Sequence, residues 1–191
     1  FGGDPMTVSM FVEASIKVSK RNGLLSCAKH FPGLGAAIRD PHKKIALASY
    51  DEIVWRQREM IPFRTAVENG VDIIMTTHMH IPKLDNKIVT GSETIISNLL
   101  RKNLAFDGPI ITDDLTMAGA SMLGDIGERT VAAFNAGHDL LLFGRDYEEA
   151  FKAYDYFTNA CERGEISKER IDAALDRVTG IKFKLKASVI H

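Results

Sequence analysis

Four short apolar runs punctuate the chain: LLSCA (24–28), VDIIMTT (71–77), PIIT (109–112) and DLLLF (139–143). They are rich in aliphatic and β-branched residues, which predicts strands. Longer stretches with helical periodicity separate them. The clearest is a helix over Tyr50 to Asn69, with Ser49 and Glu52 placed as a capping box and Gly70 as the C-cap. Ile53, Met60, Ile61 and Val67 give it an apolar stripe. Further helices are predicted over Met6 to Arg21, Ser92 to Leu104, Gly127 to Ala136, Tyr147 to Arg163 and Ser167 to about Lys184.

The predicted order is α-β-α-β-α-β-α-β-α-α, the pattern of a parallel sheet covered by helices. Continuous apolar strands agree with it, because parallel strands are buried on both faces. Two α/β architectures fit: a doubly wound open sheet and a (β/α) barrel. No internal repeat or linker interrupts the 191 residues.

The carboxyl end of each predicted strand carries ionisable groups. The first meets Lys29-His30, the second His78-Met79-His80, the third Asp113-Asp114 and the fourth Arg145-Asp146. The amino ends are introduced by Gly23, Gly70, Gly108 and Gly137. Parallel α/β folds place their ligand sites at carboxyl ends. Ordinary helix caps account for Asp125 and Asp146, but not for Lys-His, His-x-His and Asp-Asp at three successive ends. Asp113 follows an apolar strand directly and can serve as nucleophile, base or metal ligand. Asp114 is expected to point elsewhere, as a cap or supporting group. Beyond the first strand, Asp40 and His42 stand two apart across Pro41, a carboxylate beside an imidazole that can lend and retake a proton near neutral pH. A solvated turn is the bland alternative for that pair. His78 and His80 have the spacing of metal ligands sharing one strand face, which with Asp113 defines a metal-dependent hydrolase as a rival reading. The lone G-x-G of KHFPGLG is a weak phosphate signal.

Composition narrows the partners. With 24 basic against 25 acidic side chains and a net charge of -1, the chain has no basic excess for nucleic acid. Two cysteines make no disulfide framework, and Cys27 is expected to be a buried free thiol. No run reaches the roughly 18 apolar residues of a membrane span. The compartment stays open between cytoplasm and a secreted or cell-envelope location. The start at FGGDP, without Met, reads as a processed or truncated product.

Two motifs carry a resemblance. AKHFPGLGAAIRDPH resembles the K-H-F-P-G-x-G … D-x-H signature of family 3 glycoside hydrolases, in particular their β-N-acetylglucosaminidase branch. FDGPIITDDLTMAGA resembles that branch's F-D-G-x-I-x-[ST]-D-D-L-x-M strand, IIMTTHMHIP its intervening strand and FGGDP the tail of its R-S-F-G-x-D-P. The similarity runs from Phe1 to about Lys184.

The resemblance implies roles: Asp113 as nucleophile, His42 as general acid/base supported by Asp40, and Lys29, His30 and His78 as contacts to sugar hydroxyls. It implies a retaining exo-β-N-acetylhexosaminidase acting on muropeptides or chitooligosaccharides in bacterial cell-wall metabolism, with a carbohydrate substrate, no metal and no cofactor. A β-glucosidase or β-xylosidase and a catalytically silent, sugar-binding half barrel remain as alternatives. Leu34 stands where many relatives have histidine, and Ala36 and Ala37 where Asp-Thr is common, which leaves substrate preference open. The family barrel has about 330 residues and eight strands, of the (β/α)8 TIM type. Residues 1–191 are therefore expected to be its C-terminal half, about four βα units, completed by a missing N-terminal half or by a second copy, and of weak or no activity alone.

Overall fold

The computed structural model describes residues 2–37 and 46–189. Among these, helix α1 (Pro5–Arg21) leads to β1 (Cys27–Phe31), then α2 (Glu52–Gln57), α3 (Met60–Glu68) and β2 (Ile73–Thr76). A short 3-10 turn (Val89–Gly91) and a π-type helix (Thr94–Asn103) precede β3 (Ile110–Asp114). A second 3-10 segment (Ala118–Leu123), α4 (Ile126–Ala136), β4 (Leu140–Leu142), α5 (Tyr147–Glu162) and α6 (Lys168–Val189) complete the described chain. The strands pair in parallel in the order β1-β2-β3-β4. Each strand lies beside its sequence neighbours, with no reversal of order. That is barrel succession, and it sets aside the doubly wound alternative, which needs a switch point.

The expected helix over Tyr50–Asn69 is two helices. Pro62 explains the break: it has no amide hydrogen and its ring disfavours helix in the preceding turn. By restarting at Met60, the chain places Pro62 in the first turn of α3, where the missing hydrogen would have had no partner. The cap also differs. Asp51, not Ser49, accepts from the Val54 amide at 3.0 Å. Over residues 94–103 the helix is wider than expected. Its buried residues fall in pairs, Ile95-Ile96 and Leu99-Leu100, and recurrence after four or five positions suits i→i+5 bonding. α4 opens with the Asp125/Glu128 capping box and closes at Gly137, whose φ of +123° favours glycine.

β1 runs over Cys27–Phe31 rather than 24–28, so Lys29 and His30 belong to the strand. Phe31 anchors its end, meeting Trp55 and Phe63 edge to face at centroid distances of 5.9 and 5.2 Å. Cys27 is exposed, against expectation: it opens β1, which among the described residues is an edge strand. Under the other half, Phe134 packs on Phe157 at 5.0 Å, and the Arg170 guanidinium lies 4.2 Å from the Phe134 ring centre. Among the described residues no helix is long and apolar enough to cross a membrane.

His138, in the turn before β4, is fully buried. Its Nδ1 donates to the Ala133 carbonyl at 2.9 Å, and its Nε2 lies 2.8 Å from the Thr76 hydroxyl. Burial pushes its pKa down to about 3. An unfolded histidine titrates near 6.5, so below that pH the unfolded chain binds a proton that the folded one refuses. Stability is complete above pH 6.5 and is lost as pH falls toward 3. Lowering pH from 7 to 5 is expected to cost about 2 kcal/mol through His138, read by urea unfolding. His138→Gln should flatten that slope; an unchanged slope would remove His138 as its source.

Candidate active site

The carboxyl ends of β1, β2 and β3 bring three of the expected groups together. β3 extends through Asp113 and Asp114, its last two positions. Asp113 is about one-fifth exposed, and its Oδ2 lies 3.7 Å from His30 Nε2 on β1. Its Oδ1 accepts the Asp114 amide at 2.9 Å. One carboxylate oxygen is therefore held by a backbone amide and the other stands beside His30. Lys29 is exposed on the same strand as His30.

Asp114 supports, as expected. Its Oδ1 accepts the Thr116 amide and hydroxyl at 2.9 and 2.7 Å, closing a turn directly after β3. Burial raises its pKa, but hydrogen bonds from Thr116 and from the Gly144 amide outweigh it and hold the carboxyl below its ordinary range. Gly144 has room for this approach: a Cβ there would stand 3.1 Å from Asp114 Oδ2.

His78 is placed differently from a sugar contact. It is 1 % exposed. Its Nδ1 lies 2.7 Å from the Thr90 hydroxyl and its Nε2 2.9 Å from the Asp114 carbonyl oxygen. Both ring nitrogens are engaged by protein. Burial lowers its pKa, against opposing pulls from the Asp114 carbonyl and the Asp113 and Asp114 carboxylates. His80 follows the strand end and pairs through its backbone, its amide donating to Ala46 O at 2.8 Å and its carbonyl accepting from Ala48 N at 3.1 Å. β2 ends at Thr76, so strand alternation does not carry through positions 78 to 80. Among the described residues no three His, Cys, Asp or Glu side chains group as a metal site. Asp40 and His42 lie outside the described residues.

The loop after β1 is strapped from behind by residues that sequence patterns did not single out. Trp55 Nε1 donates to Pro32 O at 3.0 Å, and the Tyr50 hydroxyl lies 3.5 Å from Gly33 O. Glu59, paired with Arg58 at 2.6 Å, packs so close to Gly33 that a Cβ there would meet its side chain at 3.0 Å. Thr90 was also missed, since a threonine in a V-T-G turn carries no signal of its own. A cavity of about 810 Å³ lies along the outer side of β1, lined by Val8 and Val12 of α1, Cys27, Lys29, His30 and Glu59 among others, so that it reaches His30 beside Asp113.

Comparisons with known proteins identify the family and the fold. The model of the glycosyl hydrolase family 3 N-terminal domain matches residues 1–181. A β-hexosaminidase of Methylobacillus flagellatus is 35% identical over 150 residues, 78% of this chain and 43% of the relative. A β-hexosaminidase of Hydrogenovibrio crunogenus is 35% identical over 193 residues, 100% of this chain and 52% of the relative. The solved family 3 β-N-acetylglucosaminidase of a Paenibacillus species superposes with a TM-score of 0.87 at 34% identity, over 91% of this chain and 34% of that one. The chain spans about half the length of the curated relatives it matches. Its α/β architecture is of the TIM-barrel type, and the chain belongs to glycosyl hydrolase family 3.

Proposed function

We propose that the protein carrying this chain is a retaining exo-β-N-acetylglucosaminidase that releases terminal β-linked N-acetylglucosamine from muropeptides or chitooligosaccharides. The observation that carries the reading is Asp113 at the end of β3, partly exposed, with Oδ1 held by the Asp114 amide and Oδ2 beside His30. In this reading Oδ2 attacks the anomeric carbon, the C1–O bond breaks and a glycosyl ester forms. A general acid gives the leaving oxygen its proton, then as a base takes one from the water that cleaves the ester. Asp40 and His42 fill that role. They are assigned to it from the D-x-H motif of the sequence. Lys29 and His30 bind the sugar hydroxyls.

Residues 1–191 are the second half of the catalytic barrel in this proposal. Its two open edges fit that role. The cavity beside β1 is where a preceding parallel strand would pair. Next to the other edge, α5 exposes Tyr147, Phe151 and Tyr154, an unpartnered aromatic stripe. Relatives about twice as long have the length for about four more βα units, enough to close both edges in this reading. The metal-dependent rival loses support because both nitrogens of His78 are engaged by Thr90 and Asp114.

The test follows nitrophenol release by the intact protein from the aryl β-N-acetylglucosaminide and the aryl β-glucoside. Turnover of the first alone is the expected result. Preference for the glucoside would reassign the branch, and no turnover of either by folded protein would sink the catalytic reading.

A further inference from the structure

We propose that Thr90 and His78 form a positioning relay for Asp113: Thr90 holds the imidazole in its Nε2–H tautomer, and the imidazole holds Asp114 in place, whose amide aims the Asp113 carboxylate. The proposal rests on the reading of Asp113 as the nucleophile.

The hydrogen-bond chemistry sets the direction. The Asp114 carbonyl oxygen can only accept, so at 2.9 Å His78 Nε2 carries the proton. In the neutral ring Nδ1 is then an acceptor, and the Thr90 hydroxyl 2.7 Å away donates to it. Thr90 Oγ1 also lies 3.2 Å from the Thr77 carbonyl, a second acceptor. That alternative serves a protonated ring, whose Nδ1–H would donate to Thr90 Oγ1 while the hydroxyl turned to Thr77. The surroundings favour the neutral state. Thr77, His78 and Thr90 are all buried. The charged and titratable groups around the ring are Asp113 and Asp114 from β3, Arg129 from α4 and His138 from the turn before β4. Burial prevails over the two carboxylates.

Asp114 transmits the hold. Its carbonyl takes His78 Nε2 and the Met117 amide at 3.0 Å, and its side chain takes Thr116. A residue pinned at carbonyl and side chain presents its amide in one direction, and that amide fixes Asp113 Oδ1. Oδ2 is left to react. Asp113 also lies close enough to His78 to act on its charge state. His78 and Thr90 touch no reacting atom in this account; they are positioning residues.

The experiment uses the intact protein with the aryl β-N-acetylglucosaminide. Thr90→Val keeps the volume and removes the hydroxyl. It is expected to lower kcat about 10- to 100-fold with KM changed less than about threefold, the size of effect that a misaimed reacting group produces. Thr90→Ser, which restores the hydroxyl, should return kcat to within about threefold of wild type. Imidazole nitrogen shifts of wild-type His78 should show the proton on Nε2 and a titration midpoint below that of a free histidine, and Thr90→Val should move the Nδ1 resonance, which loses the hydroxyl's hydrogen bond. If Thr90→Val does not fold, Thr90→Cys, a weaker donor of similar size, replaces it with the same expectation. Wild-type kcat in a folded Thr90→Val protein, or His78 protonated on Nδ1, overturns the relay. A wild-type protein that leaves the glycoside untouched overturns the function proposed above instead, and the nitrogen shifts then decide the relay alone.

Discussion

Asp113→Ala in the intact protein is expected to lower kcat on the aryl β-N-acetylglucosaminide by about 10⁵- to 10⁶-fold, the scale on which removal of a covalent nucleophile acts. Two oxygens with different surroundings make the case. Oδ1 is occupied by the Asp114 amide, while Oδ2 stands 3.7 Å from His30 Nε2 with the carboxylate one-fifth exposed. A group that only balanced charge would lose much less on removal. Added azide sharpens the test. In the space left by the carboxylate it can attack C1 from the α face, forming the C1–N bond as nitrophenolate departs with the electron pair of the C1–O bond. The expected product is the α-glycosyl azide. Turnover that survives only on the 2-acetamido substrate would instead show the acetamido oxygen acting as the nucleophile, and Asp113 would lose its covalent role.

The fold was legible where chemistry is local. α1, α4 and α5 begin and end within about two residues of their expected bounds, because Pro5, the Asp125/Glu128 box, Gly137 and Asp146 act on their own neighbours. Strand existence was legible from the apolar runs, and strand ends were not: β1 begins three residues later than expected, because cross-strand pairing with β2 decides which residues count. The break at Arg58 and Glu59, ahead of Pro62, was written in the sequence but was masked by an apolar stripe that continues through it. At the site, an aspartate after an apolar strand is a strong signal, and Asp113 stands where that signal put it. A histidine one step past a strand gives no hint whether its ring faces a ligand or the core. His78 is settled by Thr90, 12 residues on, and by Asp114, 36 residues on. Such pairings exist only after folding.

Asp139 is the extreme case, an aspartate before β4 that no motif marks. Its side chain has 0% exposure. Arg101 reaches Oδ2 at 2.6 Å, Arg170 and Arg177 reach Oδ1 at 3.2 and 3.4 Å, and the Ile110 amide donates to Oδ2 at 3.0 Å. Arg101 also binds the carbonyls of Phe106 and Gly108, so it ties the entry to β3 to the entry to β4. Along α6, Arg170, Arg177 and Lys184 recur every seven residues and so share one side of the helix. The first two meet Asp139, and Lys184 meets Asp72, before β2, at 3.2 Å. Asp72 repeats the pattern on a smaller scale, accepting the Ser26 amide at 2.9 Å. The last helix is thus fastened beneath the strands through two carboxylates, and Asp139 carries most of the load. Burial and Asp139 pull the Arg101 pKa in opposite directions; burial prevails, and it sits near about 10. Asp139→Ala would leave three guanidinium groups facing one another and the Ile110 amide unpaired. Breaking a buried ion pair from one side costs about 3 to 5 kcal/mol. For a domain of this size that is a fall in Tm of about 6 to 20 °C. Asp139→Asn, which keeps an acceptor for Ile110, should lose less. Asp172→Ala, which removes an exposed pair with Lys168, should lose under about 1 kcal/mol. Urea and thermal unfolding of the intact protein would rank the three. An Asp139→Ala protein as stable as the Asp172→Ala control would mean that α6 is held by its apolar contacts, Ile171, Ala174 and Ile181, and that the charges only follow.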